Sequence, residues 1–410
     1  MTALSGFSVD SVRAAIPQLK VQVRGKDLVY LDNGATTLKP QSVIDRVSRY
    51  YTTENSNVHR GAHLLAETGT YAYESARQIV ADFVGASTKE EVVFTRGTTE
   101  SLNLVASCLA DSGRLAGKQI VVSEMEHHSN IVPWQLAAAR SGAVLAVVRI
   151  DDRGEIDRGH LRELLKKPTA VVALTACSNV LGTIVPVREI AADVHAAGSL
   201  LVVDAAQSVT AEQVDVQSWD ADFVAFSGHK VFAPFGIGVM WAKKHLLEEL
   251  PPYQGGGSMI HQVTFEKTTW ADVPQKFEAG TPNVGGALGL GEAILWFRAQ
   301  NSGLAIQHAK SLAEKARQAL VSLEGLTVYG APEHRTAIVA FNVDGVHASD
   351  VATVLDQQGI AVRAGHMCCQ PLMSRLGTKA IVRASFSIYN TAAEVESLLA
   401  GLRKAKEMLT

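Results

Sequence analysis

The feature that most constrains this chain is a recurrence of short, uniformly apolar runs, at residues 92–95, 120–123, 170–175, 200–204, 223–226 and 238–241, set between longer stretches with helical patterning. A strand with one wet face alternates apolar and polar residues; a run that is apolar at every position is enclosed on both faces, as in a mostly parallel sheet covered by helices. In such sheets ligands collect beyond the carboxyl ends of the strands. The polar residues that close these runs, Thr98, His127, Asn179, Asp204 and Lys230, are therefore candidates for a single site.

The chain has 410 residues, 47% hydrophobic and 19% charged, enough for a substantial core and more than one structural unit. Near residue 296 the character changes to helices with few strands, so the expected division is an N-terminal segment 1–25, a large domain 26–295 and a smaller C-terminal domain 296–410. A short helix at 9–16, stopped by Pro17, is too short to stand alone and is expected to pack on the second domain. Thr391-Ala392-Ala393-Glu394 reads as a capping box ahead of Val395, Leu398, Leu399 and Leu402 at helical spacing. A net charge of -3 offers no polybasic face for nucleic acid, so a small-molecule substrate is expected. The first twenty residues lack the basic and apolar regions of a signal peptide, and no apolar stretch reaches membrane-span length, which reads as a cytoplasmic protein.

Four cysteines, Cys108, Cys177, Cys368 and Cys369, make no disulfide framework and no C-x-x-C pair. Cys108 and Cys177 lie in apolar surroundings and read as inert core residues. The adjacent Cys368 and Cys369 follow the polar segment Arg363-Ala364-Gly365-His366-Met367, where a thiol is accessible and reactive.

The most specific local signal is Ser227-Gly228-His229-Lys230 at the exit of the run at 223–226. A lysine there suits a Schiff-base amine beside a phosphate site. Taken alone it is read as a surface lysine; support comes from Asp204, which closes another run and can pair with a protonated pyridine nitrogen, or else cap the following helix. Gln207 adds an amide for a ring oxygen. Thr95-Arg96-Gly97-Thr98-Thr99-Glu100 stands between a strand and a helix, and its glycine, hydroxyls and first helical amides make an anion cradle. At Glu126-His127-His128 one imidazole can lie over a planar ring; a metal reading lacks a third ligand.

Together with Asn57-Val58-His59-Arg60-Gly61, Ser178-Asn179-Val180-Leu181-Gly182, Glu278-Ala279-Gly280-Thr281-Pro282-Asn283 and Arg363-Ala364-Gly365-His366, these motifs, in this order, resemble the class V aminotransferase family of fold-type I pyridoxal-phosphate enzymes. Within it they are similar to cysteine desulfurases of the SufS and CsdA type, from Tyr30 to Ser385. The resemblance implies an α/β fold whose large domain holds a mostly parallel seven-stranded sheet and whose smaller α+β domain carries a reactive-cysteine loop. It implies pyridoxal 5'-phosphate as cofactor, with Lys230 as its Schiff-base lysine, Asp204 on the ring nitrogen, His127 stacked on the ring and Gln207 on the ring oxygen. Thr98, Thr99, Ser227 and His229 hold the phosphate in that scheme, joined by Thr281 from the second subunit of a homodimer, while Gln254-Gly255-Gly256-Gly257 forms a hairpin at the interface. Asn179 and Arg383 take the substrate carboxylate, His59 and Arg363 wall the pocket, and Cys368 receives sulfur from L-cysteine as a persulfide for a SufE- or CsdE-like acceptor or a scaffold, in iron–sulfur cluster assembly.

Two residues depart from that pattern. Met367 stands where the family usually has histidine before the reactive cysteine, and Cys369 replaces a small residue; if the loop is extended, the two adjacent thiols face opposite sides. Selenocysteine lyase, kynureninase or an epimerase of the same family would share Lys230 and Asp204 without needing the thiol. A catalytically silent sulfur-relay scaffold would need none of these residues, and a nicotinamide reading fails because no G-x-G-x-x-G follows the first strand.

Overall fold

All six apolar runs become strands, since β-branched and aromatic side chains fit an enclosed pleated surface. The computed structural model describes residues 6–409, so the first five residues of the expected 1–25 segment, and Thr410, lie outside the described residues. In chain order the strands of the large sheet are β1 (Val92–Thr95), β2 (Gln119–Ser123), β3 (Val144–Val148), β4 (Thr169–Thr175), β5 (Leu200–Asp204), β6 (Phe223–Ser227) and β7 (Gly238–Ala242). They lie in the order β1-β7-β6-β5-β4-β2-β3. Neighbours from β6 to β3 are parallel, and β7 runs antiparallel between β6 and β1.

Both faces are buried with a period of two. Val121, Val172, Val203 and Val239 pack with helices Leu64–Val84 and Val284–Ala299, while Ile120, Val122, Val202 and Met240 pack with helices Thr98–Asp111 and Val132–Ser141. The strand that the apolar runs did not mark is β3. It forms the sheet edge, with Val144 and Val147 exposed, and the alanine-rich helix before it blurs its boundary.

The C-terminal part contains a second, antiparallel sheet of β8 (Leu326–Tyr329), β9 (Ile338–Val343), β10 (Arg363–Gly365) and β11 (Ile381–Ser385), in the order β8-β9-β11-β10. Helices Ser302–Val321, Ala348–Asp356 and Ala392–Leu409 enclose its core. The last helix starts with a closed capping box: the Thr391 amide donates to Glu394 Oε2 at 3.0 Å, and the Glu394 amide to Thr391 Oγ1 at 3.3 Å. The N-terminal helix, Val9–Ala14, ends earlier than expected because Pro17 opens a 3₁₀ turn, Pro17–Lys20. Arg13 ties it to the C-terminal part, donating to the Tyr389 carbonyl at 2.7 Å and Glu394 Oε1 at 2.8 Å, while Val12 and Ile16 enter the large core. Among the described residues no helix is long and apolar enough to cross a membrane.

Candidate active site

The site grows from the carboxyl ends of two adjacent parallel strands. Asp204 ends β5, in register with Ala225 of β6, and Lys230 closes the single turn Gly228–Lys230 that follows β6. Asp204 is buried, with Oδ1 accepting from the Ala206 amide at 2.9 Å. Burial lowers the pKa of Lys230 and raises that of Asp204; the charge of each opposes the shift of the other. A carboxylate and a half-buried amine thus face one cavity of about 330 Å³.

His127 stands over the same cavity after β2. Its Nδ1 accepts from the Ser129 amide at 3.1 Å, so the proton of the neutral ring sits on Nε2. Burial first, then the Lys230 charge, brings its pKa to about 4, and the ring is neutral at ordinary pH.

At one end of the cavity the helix Thr98–Asp111 begins at Gly97, which has no side chain to cap its first amides. The Thr98 amide donates to Ser227 Oγ at 2.8 Å, and the two hydroxyls also lie 2.8 Å apart. Thr99 Oγ1 lies 2.7 Å from Ser129 Oγ. The backbones close in so tightly that a Cβ on Gly238 would sit 2.3 Å from Gly97 Cα. His229 stacks on Phe235 at 5.3 Å between centroids; burial brings it to about pKa 4, and its buried Nδ1 has no partner among the described residues.

At the other end Arg383, on β11, is buried and donates from Nη1 to the Asn179 carbonyl at 2.9 Å and from Nη2 to Asp32 Oδ1 at 3.2 Å. Gly34 lies flat against this guanidinium; a Cβ there would come within 3.0 Å of Cζ. Arg363 grips the same Asp32, with Nη2 at 2.5 Å from Oδ2. Gln207 Nε2 donates to the Gly34 carbonyl at 2.8 Å, so its amide braces the floor of the cavity.

The loop that carries Cys368 closes the cavity from the side. It is not extended: Met367 and Cys368 both have left-handed backbone, φ 53° and 54°. The expectation that alternation along an extended strand separates the two thiols is therefore corrected, though the thiols do differ. Cys368 is exposed and lines the cavity, whereas Cys369 is buried with Sγ donating to Asn179 Oδ1 at 3.1 Å. Cys108 and Cys177 are both buried, Cys177 forming part of the cavity wall.

Thus Thr98, Thr99, His127, Asn179, Asp204, Gln207, Ser227, His229, Lys230, Arg363, Cys368 and Arg383 share one cavity. Two expected residues are not brought there. His59 pairs with Glu74 at 3.1 Å and meets Tyr73 edge-on, and Thr281 lines a separate cavity of about 380 Å³ with Tyr73, Arg96 and Glu278. Among the described residues no group of three or more His, Cys, Asp or Glu is placed to hold a metal ion.

Residues 29–398 match the aminotransferase class-V family. This chain belongs to that family. The class V relatives most like it include a probable cysteine desulfurase of Vibrio cholerae, 46% identical over 403 residues, covering 98% of this chain and 100% of that one. A cysteine desulfurase of Dickeya dadantii is 45% identical over 404 residues, 98% of each chain. Among solved structures, the S-sulfonic acid form of the cysteine desulfurase CsdA from Escherichia coli superposes with a TM-score of 0.92 at 39% identity, covering 99% of this chain and 100% of that one.

For some residues that shape this class V site the sequence indicated no role, even where they stand inside a motif. Asp32, which orients both Arg363 and Arg383, acts across more than 300 residues. Lys39 donates to the His229 carbonyl at 2.9 Å, and burial lowers its pKa to about 7. Glu126, buried beneath His127, accepts from Asn130 Nδ2 at 2.7 Å and from Ser123 Oγ; burial raises it to about 8. A glutamate beside two histidines looks like a polar turn until the fold encloses it.

Proposed function

We propose that this chain is a pyridoxal-phosphate-dependent cysteine desulfurase. It takes sulfur from L-cysteine, releases L-alanine and carries the sulfur as a persulfide on Cys368 to an acceptor protein of the SufE or CsdE kind, in the cytoplasm and for iron–sulfur cluster assembly. The observation that carries the reading is the exposed thiol of Cys368 at the wall of a cavity whose floor holds Lys230 and Asp204.

The residues present suit the cofactor. A helix start whose N-cap is a glycine, two hydroxyls and a buried imidazole nitrogen on His229 with no partner among the described residues match the needs of a phosphate. In this reading Asp204 would pair with the pyridinium nitrogen, His127 would cover the ring face and Lys230 would take the aldehyde carbon, and all three line the one cavity. When bound, pyridoxal phosphate supplies an electron sink for the pair released at the substrate's α carbon.

The chain's own groups do the rest. Arg383 orients the substrate through its carboxylate, a planar fork on a planar acid, while the Asn179 carbonyl steadies that fork. Lys230, its pKa lowered by burial, serves as the base for the α proton. The sulfur of the oriented cysteine is then open to Cys368 Sγ as thiolate: an S–S bond forms, the substrate's C–S bond breaks with its electron pair left on carbon, the former CH₂ takes up the proton the Cys368 thiol released, and Lys230 returns the α proton, which completes alanine.

The division into a large domain 26–295 and a small domain 296–410 carrying the reactive loop belongs to the same reading. So does a homodimer in which Thr281 completes the partner's phosphate site. Supporting it, Thr281 lies apart from Lys230 within one chain, and the hairpin, which is formed not by Gln254–Gly257 but by Ile260–Val263 and Thr268–Trp270 just after it, exposes Val263, Phe265 and Trp270. The test is to incubate the holoenzyme with L-cysteine and measure alanine, sulfide and the mass of the Cys368 peptide. Alanine with a sulfur adduct on Cys368 is expected; turnover without that adduct overturns the role of Cys368.

A further inference from the structure

The loop that presents Cys368 holds a conformation its own sequence disfavours. Met367 and Cys368 both lie in the left-handed region, φ 53° and 54°, where a Cβ is crowded against the following carbonyl. Such backbone persists only when its surroundings fix it. Two of its ties are at the surface: the Cys368 amide donates to His366 Nδ1 at 3.0 Å, and the Cys368 carbonyl accepts from the His128 amide at 2.7 Å. Besides the backbone bond from the Cys369 amide to the His366 carbonyl at 2.8 Å, the buried side-chain ties converge on one residue. Asn179 Nδ2 donates to the Met367 carbonyl at 2.9 Å, and Asn179 Oδ1 accepts from Cys369 Sγ at 3.1 Å, so the residues before and after Cys368 are held by the two ends of one amide.

A carbonyl at Met367 requires an N–H opposite it, which turns Asn179 Oδ1 toward position 369, and a buried oxygen there requires a donor. Cys369 is fully buried, and burial raises its thiol to about pKa 12, so it stays an S–H donor. Alanine at 369 would leave Oδ1 without a donor and the amide without a fixed orientation. We propose that Cys369 is a positioning residue: by donating to Asn179 it locks the amide that holds the Met367 carbonyl, and so fixes the loop on which Cys368 meets the substrate. The same Asn179 gives its carbonyl to Arg383, which joins the clamp to the arginine proposed for the substrate carboxylate. The inference rests on the proposed role of Cys368 as sulfur carrier for its meaning, though the clamp itself is independent of turnover.

The test compares the holoenzyme with its Cys369→Ala and Cys369→Ser forms by amide hydrogen exchange and by kcat and KM for L-cysteine. Exchange in the peptide spanning 366–370 is read as a ratio to that of β4 and β5, so general loosening cancels. Cys369→Ala is expected to raise this ratio about fivefold, the worth of one hydrogen bond, and to lower kcat by a similar factor with KM nearly unchanged. Cys369→Ser, which restores a donor, is expected to return both toward the parent values. An unchanged exchange ratio in Cys369→Ala, or a Cys369→Ser form as impaired as Cys369→Ala, overturns the proposal. If the parent enzyme makes no alanine from L-cysteine, the functional reading fails, while the exchange ratio still decides the clamp.

Discussion

Arg383 Nη2 donates to Asp32 Oδ1 at 3.2 Å, while the buried Nε of the same guanidinium has no partner among the described residues. Asp32 thus holds the fork in one plane without using all of its donors, which suits a group awaiting an anion. Arg383→Lys keeps the charge and loses the fork. It is expected to lower kcat/KM for L-cysteine by roughly ten- to a hundredfold, chiefly through KM, as one or two charge-assisted hydrogen bonds are lost. Steady-state kinetics check this, and an unchanged KM would remove Arg383 from carboxylate binding.

Two lysines near the site are partly buried with lowered pKa values, and only one faces the cavity. Lys39 gives its protons to the Thr37 and His229 carbonyls at 2.6 and 2.9 Å, whereas Lys230 lines the cavity beside Asp204. Borohydride reduction of the yellow holoenzyme, followed by peptide mapping, should fix the cofactor to Lys230 and leave Lys39 unlabelled. Lys230→Ala should lose the visible absorbance and essentially all turnover.

The buried Glu126 makes stability depend on pH in a direction opposite to that of most carboxylates. Its pKa rises from 4.5 to about 8 in the fold, so between these values the folded state holds a proton that the unfolded chain has lost. The contribution is fully present below 4.5 and is lost as pH rises through about 8. Glu126→Gln removes the titration while keeping an acceptor for Asn130. From about pH 5 to about pH 8 the thermal midpoint of the parent should therefore fall relative to the variant. Thermal unfolding at a series of pH values decides it, and parallel curves would mean that Glu126 is ionised in the fold.

Much of this site was legible in the sequence because strand ends are legible: an apolar run closed by a polar residue places Asp204, Ser227 and Lys230 at the edge of one sheet without any knowledge of distance. Residues whose placement depends on tertiary crossing were not. Asp32 reaches Arg383 across 351 positions, and nothing local distinguishes it from a turn aspartate. Asn179 was read as a substrate ligand from its motif, yet its amide is engaged with Met367 and Cys369, a contact that exists only because the loop after β10 folds back on the large core. The loop itself defeated simple alternation, since two left-handed residues in succession leave no pattern in side-chain type.

The separation of Thr281 from Lys230 within one chain leads to a complementation experiment. Each of Lys230→Ala and Thr281→Ala should be impaired alone. In the mixed dimer one site carries both defects and the other neither, so activity should return to roughly half that of the parent for each heterodimer formed. Subunit exchange confirmed by differential tags, with no recovered activity, would show that Thr281 serves its own chain.

The adjacent thiols provide the last and most direct prediction. Cys368 is exposed and lines the cavity; Cys369 is buried, with its proton committed to Asn179 and its pKa raised to about 12. Since the thiolate is the nucleophile, only Cys368 is in a state and a place to take sulfur. Cys368→Ser should abolish the persulfide and lower alanine formation from L-cysteine by at least about a hundredfold, the scale of losing a nucleophile, while cofactor absorbance stays intact because no cofactor contact is removed. Cys369→Ser, which keeps a donor toward Asn179, should retain most of the turnover. Selenocysteine tests the boundary of the chemistry, because the weaker C–Se bond relaxes the need for an attacking thiol. If Cys368→Ser still releases alanine from selenocysteine at the parent rate while failing on cysteine, the thiol serves sulfur abstraction alone. Full activity of Cys368→Ser on both substrates would instead make the enzyme a lyase whose exposed cysteine has no part in the reaction.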